Sequence, residues 1–462
     1  MMNIRLPHCP VWLRRAVLLC LIAVGACRSL PTVTPDMAAS QGPPHVAGTR
    51  GPLSAARSKA VLDALKSRAP DTNLFDRHLA LEEALAGRPL VAGNKVTLLH
   101  DFNATHQAMF AAIRDARDHI NMETYIFEDD EVGVRFRDAL IAKQREGVAV
   151  SLIYDAVGAV STPREFFAPL RDAGVRLLEF NPINPLIAKA AWSLNERDHR
   201  KLLIVDGRTV FLGGINISGI YSGSSTSSAG ERPKPWRDTH LQVEGPVVAD
   251  FQKLYLETWA KQKADPLPQR NYFPPPTARG KEVVRAIAGA PDEPVSAIYA
   301  TLISAVDHAE TEILMTNAYF APDPQLRASL KAAVQRGVSV KLILPSATDS
   351  GLIFHAGRSY YDELLRAGIR IFERRNVLLH AKTVVIDGVW STIGSANLDW
   401  RSFLHNQEAN AVVLGTEFAQ QMRAMFDNDL ASSNAITLEQ WDRRGLGARL
   451  KQGLARMWEY WL

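Results

Sequence analysis

Cysteine is almost missing from this chain. Its 462 residues hold three, Cys9, Cys20 and Cys27, all within the first 27 positions. The rest can therefore build no disulfide framework, no thiolate metal site and no catalytic thiol. A surplus of one charge sign is missing too. The formal charge is +4, and Arg5, Arg14 and Arg15 stand in a leader without acids, so the chain from residue 27 onward carries only +1. Near-neutrality argues against a dedicated nucleic-acid binder. Past the N-terminus no apolar run reaches the roughly 20 residues that a membrane span needs, which argues against a multi-pass membrane protein. What remains is 47% hydrophobic and 22% charged, a globular composition of two or more domains.

The N-terminal residues follow a different rule. Three arginines precede the apolar run Ala16–Ala26, and small residues close it. That order reads as a secretory signal over residues 1–26. Val24-Gly25-Ala26-Cys27 resembles a bacterial lipoprotein lipobox, which implies lipidation of Cys27 and a lipid-anchored protein of the cell envelope facing the periplasm. An ordinary signal peptide or an uncleaved anchor is the alternative. Residues 27–70, rich in Pro, Ser, Gly, Ala and Thr at their start, read as a flexible tether. The proline-rich stretch 265–280 reads as a linker between halves, 71–264 and 281–430, and 431–462 as a basic amphipathic tail.

The two halves repeat each other. Glu146-Gly147-Val148-Ala149-Val150 is matched 190 residues later by Arg336-Gly337-Val338-Ser339-Val340. Ala173-Gly174-Val175-Arg176-Leu177 is matched 194 residues later by Ala367-Gly368-Ile369-Arg370-Ile371. A helix ending at Gly before a β-branched run is an α-to-β junction. Its repetition predicts an α/β fold of two similar lobes, each a β-sheet flanked by helices.

Each half carries one copy of a chemical motif. His199-Arg200-Lys201 leads into Leu202–Val205, then Asp206-Gly207, then Gly213-Gly214-Ile215-Asn216. His380-Ala381-Lys382 leads into Thr383–Ile386, then Asp387-Gly388, then Gly394-Ser395-Ala396-Asn397, at a constant offset of 181. The smaller offset implies an insertion of about thirteen residues between Phe180 and His199. Side chains alternate along a strand, so His and Lys two apart share a face. The Asp-Gly turn reverses the chain and brings a Gly-rich turn with its Asn back beside them. An imidazole can act as nucleophile, acid or base near neutral pH, and Lys and Asn can stabilise charge on phosphoryl oxygens. Two copies supply two imidazoles and two cations, the parts for phosphodiester cleavage or exchange without a metal. One copy is a weak signal. Two, each in a repeated lobe, make a strong one.

These residues resemble the phospholipase D superfamily over roughly residues 75–430. The resemblance implies two α/β lobes with the active site at their pseudo-twofold interface, no catalytic metal or other cofactor, and a phosphohistidine intermediate. By it, His199 and His380 are the catalytic pair, and His199 is favoured as nucleophile. Lys201, Lys382, Asn216 and Asn397 are phosphate ligands, with Ser395 supplying a hydroxyl that Gly214 lacks. Asp206 and Asp387 complete the catalytic motif but sit at turns, which suits a structural part. Asp238 and Glu408 match the family acids that orient catalytic imidazoles, against the alternative of loop acids on the surface.

Within the superfamily, Trp236–Pro246 and Gly394–Ser402 look most like bacterial cardiolipin synthases. That likeness implies transfer of a phosphatidyl group to the hydroxyl of another phospholipid. Phosphatidylglycerol is the first candidate substrate and phosphatidylethanolamine the second, at a membrane surface, with no nucleic acid and a monomeric enzyme. The longer members carry two N-terminal transmembrane helices, for which the lipobox is the expected replacement here. A hydrolase of phospholipid head groups and a secreted nuclease are the competing readings. Ile183, Leu186, Ile187 and Trp192 in the insertion could touch lipid or pack on their own lobe. Leu446, Leu450, Leu454, Met457 and Trp461 recur at helical spacing among basic residues, as in an interfacial helix or one docked on the body. The acids Glu128–Glu131 read as a helix start rather than a metal site.

Overall fold

The computed structural model describes residues 30–34, 44–69, 71–184, 186, 188, 192–193, 195–222 and 235–461. Cys27 and the leader lie outside them.

In the first lobe, β1 (Leu90–Leu99), β2 (His119–Thr124), β3 (Ala149–Asp155), β4 (Arg176–Phe180), β5 (Leu202–Val205), β6 (Thr209–Gly213) and β7 (His240–Glu244) form a mixed sheet. Its order is β4-β3-β2-β5-β6-β7-β1, parallel across the first three strands and antiparallel thereafter. The second lobe uses β8 (Glu282–Gly289), β9 (Glu312–Asn317), β10 (Ser339–Pro345), β11 (Arg370–Arg374), β12 (Lys382–Ile386), β13 (Trp390–Gly394) and β14 (Asn406–Leu414). Its order, β11-β10-β9-β12-β13-β14-β8, is the same pattern. The repeat seen in the sequence is thus a repeat of topology. The edge strands β1 and β8 then pair antiparallel, Val284 opposite Val91, and fuse the two sheets into one.

The parallel strands β2 and β3 are buried along their whole length, because helices cover both faces. On one side α1 (Phe102–Asp115) and α2 (Glu131–Arg145) bury Met109, Ile113, Phe136 and Leu140 against Ile120, Leu152 and Leu203. Asp101 and Asp130 cap these helices by accepting the Ala104 and Gly133 amides. Asp130 is part of the acidic run, which opens a helix as expected. On the other side α3 (Val248–Lys261) and the second-lobe helix Thr416–Ala431 share one core with strands of both lobes, including Val243, Val284, Ile393 and Val413.

Two boundary expectations need correction. Within the segment read as a tether, Val46–Gly48 adds to β1 in parallel and Ala55–Lys66 is a helix whose Ser54 accepts the Arg57 amide. The Ser- and Ala-rich composition there is a cap and a helix former, not a linker. The start of the first lobe is also displaced in space. The helix Leu74–Ala86 crosses to the second lobe, where His78 Nδ1 lies 2.9 Å from Ser304 Oγ and Glu82 meets Arg285 and Trp390. Residues 265–280 hold no helix or strand. After the second lobe, Ser433–Ile436 pairs with β11 and the chain ends in short helices. No described helix is long and apolar enough to cross a membrane.

Candidate active site

The two motif hairpins lie at the centre of their lobes. β5–β6 turns at Asp206-Gly207 and β12–β13 at Asp387-Gly388, all four residues at positive φ. A turn whose two central residues both take positive φ favours Asp-Gly. The aspartates do more than turn the chain. Asp206 accepts the amides of Arg117, Asp118 and His119 at 2.8–3.2 Å, and Asp387 those of Glu310, Thr311 and Glu312 at 2.8–3.0 Å. Each carboxylate therefore ties its hairpin to the start of the neighbouring central strand. These contacts are structural and make the aspartates supports of the motif rather than groups facing substrate.

His199 and His380 sit just before β5 and β12, and each is reached by the other lobe. The two-residue strand Arg197–Asp198 pairs in parallel with Asn406–Gln407 of β14, and Trp236–Arg237 pairs in parallel with Leu378–Leu379. The His199 amide donates to Gln407 O at 3.0 Å, and the His380 amide to Arg237 O at 2.7 Å. The acids follow this crossing. His199 Nδ1 lies 3.0 Å from Glu408 Oε1, and His380 Nδ1 lies 2.6 Å from Asp238 Oδ2. The sheet register makes the two acids equivalent. Gly213 faces His240 and Gly394 faces Asn410, and each acid stands two residues earlier. With Nδ1–H given to a carboxylate, Nε2 of each ring is the atom left to attack when the ring is neutral or to donate when it is protonated.

All of these side chains are buried. Burial lowers the His199 imidazole to about 4, against the opposing pull of Glu408. Burial pushes the Glu408 carboxyl up, but His199, Lys201 and Ser395 outweigh it and hold it at about 2. The Asp238 carboxyl is likewise pushed up by burial and carried below its usual value by His380 and Lys382. Lys201 and Lys382 share the face of their histidines, each ammonium donating to the carbonyl of the histidine two residues earlier. Burial lowers them to about 7 and about 8. The Lys382 charge adds to the lowering of Lys201, and two such buried cations are held ready for an anion.

The asparagines close the site. Asn216 donates to Tyr221 Oη at 3.0 Å and accepts the Ile126 amide at 3.2 Å. Asn397 Oδ1 is buried without a hydrogen-bond partner among the described residues. Ser395 turns toward β14, where its hydroxyl accepts the Ala409 amide at 3.0 Å and lies among the groups that stabilise ionised Glu408. The serine expected as a phosphate ligand thus supports the acid. Its counterpart must be glycine, because a Cβ at Gly214 would come within 2.2 Å of Asp238 Oδ1. The shorter acid occupies the room that the serine side chain uses in the other half.

Aromatic rings were not found from the motifs. Tyr125 stands edge-on to His199 at 5.1 Å, while Tyr221, Trp236 and Tyr319 surround His380 at 4.8–6.1 Å. The available signal was a tyrosine just past each matched central strand, at 125 and 319. A second asymmetry lies under His199. Burial pushes the Glu123 and Asp198 carboxyls up, Asp198 further because Glu123 faces it, with Arg200 opposing. Among the described residues no group of three or more His, Cys, Asp or Glu is arranged to hold a metal ion.

A family model described as "Cardiolipin synthase, PLD-like domain" matches residues 109–222 and 302–430, one segment per lobe and each spanning one motif. The chain belongs to the phospholipase D superfamily, among its cardiolipin-synthase-like members. The cardiolipin synthase of Geobacillus kaustophilus is 33% identical over 382 residues, 82% of this chain and 74% of that protein. Cardiolipin synthase 2 of Bacillus anthracis is 34% identical over 356 residues, 76% of this chain and 68% of that protein. The crystal structure of phosphatidylserine synthase from Haemophilus influenzae superposes with a TM-score of 0.61 at 14% identity, over 82% of this chain and 99% of that one. At that identity the likeness is one of fold. The crossing histidine–acid pairs described above lie at the interface of a superfamily enzyme.

Proposed function

We propose that this enzyme transfers a phosphatidyl group from one phospholipid to the hydroxyl of another, making cardiolipin and releasing the head-group alcohol. The crossed pairs His199–Glu408 and His380–Asp238 carry this reading. They supply two imidazoles with Nδ1 committed to an acid, and Lys201 and Lys382 add an ammonium group beside each. His199, held neutral by burial, attacks phosphorus. The bond from phosphorus to the head-group oxygen breaks, and His380, entering the step as the imidazolium beside ionised Asp238, gives that oxygen its Nε2 proton. A phosphatidyl–histidine results, its non-bridging oxygens against Lys201, Lys382 and the Asn397 side chain. His380 then takes the proton of the incoming hydroxyl as that oxygen attacks, and the nitrogen–phosphorus bond breaks to restore His199. Burial of the site and the rings around His380 favour an alcohol over bulk water as acceptor.

With phosphatidylglycerol as both donor and acceptor the products are cardiolipin and glycerol. Phosphatidylethanolamine is the second donor by chemistry. The protein works as a monomer in this reading, held in the cell envelope and facing the periplasm by lipid on Cys27. Loss of the Cys27→Ala variant from the membrane fraction would support the anchor, and unchanged association and processing would remove it. The deciding assay is purified enzyme with phosphatidylglycerol and EDTA. Cardiolipin with equimolar glycerol is expected. Phosphatidic acid alone would make the enzyme a hydrolase, and no turnover of any phospholipid would defeat the assignment.

A further inference from the structure

Helix α4 (Leu446–Arg456) near the C-terminus is docked with its apolar face outward. An amphipathic helix on a globular body buries its leucines. Here the buried residues are Gln452 and Ala455, packed over the helix Gly351–Arg358. Leu446, Leu450, Leu454 and Met457 are 83%, 65%, 54% and 78% exposed, and Trp458 just beyond is also exposed. Leu446, Leu450 and Leu454 are spaced four apart and form one row with Met457. Leu352 on the underlying helix is exposed as well. The orientation is fixed from below. Arg444 donates to Gln452 Oε1 at 3.1 Å, the Arg456 guanidinium lies 4.7 Å over the Tyr360 ring, and Tyr360 donates to Glu459.

The charge around the row selects what covers it. Arg449, Lys451 and Arg456 are exposed on this helix, which holds no acid, whereas Arg443 is paired with Glu439 and Arg444 is turned onto Trp441 and Gln452. A second copy of this face would set these cations against one another. An anionic lipid surface accepts both the apolar row and the cations. The helix is also joined to the active-site rim. Tyr460 packs on Trp400 and His405, in the segment between Asn397 and Glu408. From that segment Arg401 donates to Asn195 Oδ1 at 3.0 Å. Asn195 belongs to the insertion before His199, which exposes its own Ile183, Leu186 and Trp192.

We infer that α4, with Met457 and Trp458, is the element by which the enzyme seats itself on an anionic phospholipid bilayer next to the active-site rim. The inference rests on the reading of the substrate as a membrane lipid and names the surface that meets it. The test uses the full chain. Hydrogen exchange over residues 446–458 is measured with vesicles of phosphatidylglycerol and of phosphatidylcholine. Turnover is measured on vesicles and in detergent micelles, for the wild type and for a variant carrying Leu450→Ser, Leu454→Ser and Met457→Ser. Protection of this segment by the anionic vesicles alone is expected. The variant should lose about tenfold or more of its vesicle rate and keep its micelle rate, since the apolar row, and not the active site, is what it removes. Unchanged exchange in both vesicles, or an unchanged vesicle rate in the variant, would overturn the inference. Protection that grows with protein concentration in the absence of lipid would also overturn it, by showing a second copy on the face. Protection by anionic vesicles without turnover of any phospholipid would leave the docking face standing and remove the transferase reading.

Discussion

At the scale of single residues, the imidazole–carboxylate pairs decide the chemistry, and they are unequal. His380 holds its acid at 2.6 Å among the rings of Tyr221, Trp236 and Tyr319, whereas His199 holds Glu408 at 3.0 Å with Tyr125 edge-on to it. Glu408→Gln retains shape and removes the charge that fixes the His199 tautomer. A loss of roughly 10³–10⁴-fold in kcat is expected, as for other histidines deprived of their carboxylate. Asp238→Asn should cost a similar factor. Head-group release by each purified variant measures this, and activity within tenfold of wild type would remove the orienting role. The pH dependence follows from the same residues. His199 must be neutral to attack, so kcat/KM should rise with pH through about 4. His380 must carry its proton to act as acid, and burial lowers it below the usual imidazole range. Lys201 and Lys382 must be charged to receive the phosphodiester. So kcat/KM should fall first with His380 and again as pH climbs through about 7 and about 8. A micelle assay that stays level to pH 9 would contradict the part given to the lysines.

At the scale of elements, the motif hairpin separates catalysis from stability. Its His and Lys face the site, while its Asp holds the far end to the next strand. Asp387→Ala removes the acceptor for three backbone amides and the hydroxyls of Thr72 and Thr311. It also puts alanine at positive φ. A cost of about 2–4 kcal/mol is expected, seen as a lower urea midpoint with the rate per folded molecule largely kept. A stable but inactive variant would instead place Asp387 in the chemistry. The hairpins were legible in the sequence because an apolar run closed by Asp-Gly has one simple reading. The repeated α-to-β junctions foretold equivalent strands for the same reason. The span 46–66 was misread because Ser, Ala and Gly serve linkers and capped helices alike, and only pairing with Leu90 and Val91 separates them. The choice of acid for each histidine was hidden more deeply. Glu408 lies 209 residues from His199 and Asp238 lies 142 from His380, and no local pattern records a contact made across lobes.

At the scale of the whole molecule, that crossing makes the two lobes one catalytic unit. The β1–β8 pairing joins their sheets, the shared core under α3 joins their helices, and the two-residue strands beside each histidine join their active-site loops. A lobe by itself would keep a histidine and lysine but lose the acid that orients that histidine. The same geometry makes a prediction about assembly. Consider equal amounts of His199→Ala and His380→Ala, mixed, partly unfolded together and refolded. In a monomer each chain retains one defective half-site, and the mixture should be as inactive as its components. If chains exchanged lobes, some assemblies would combine an intact His199 with an intact His380, and activity would return to a sizeable fraction of wild type. Head-group release from phosphatidylglycerol micelles, with wild type carried through the same refolding, reads the difference. Recovery well above the sum of the two variants would show that the crossed acids work between chains, whereas its absence is expected because β1–β8 pairing, unlike a hinge-linked exchange, closes both lobes of one chain on each other.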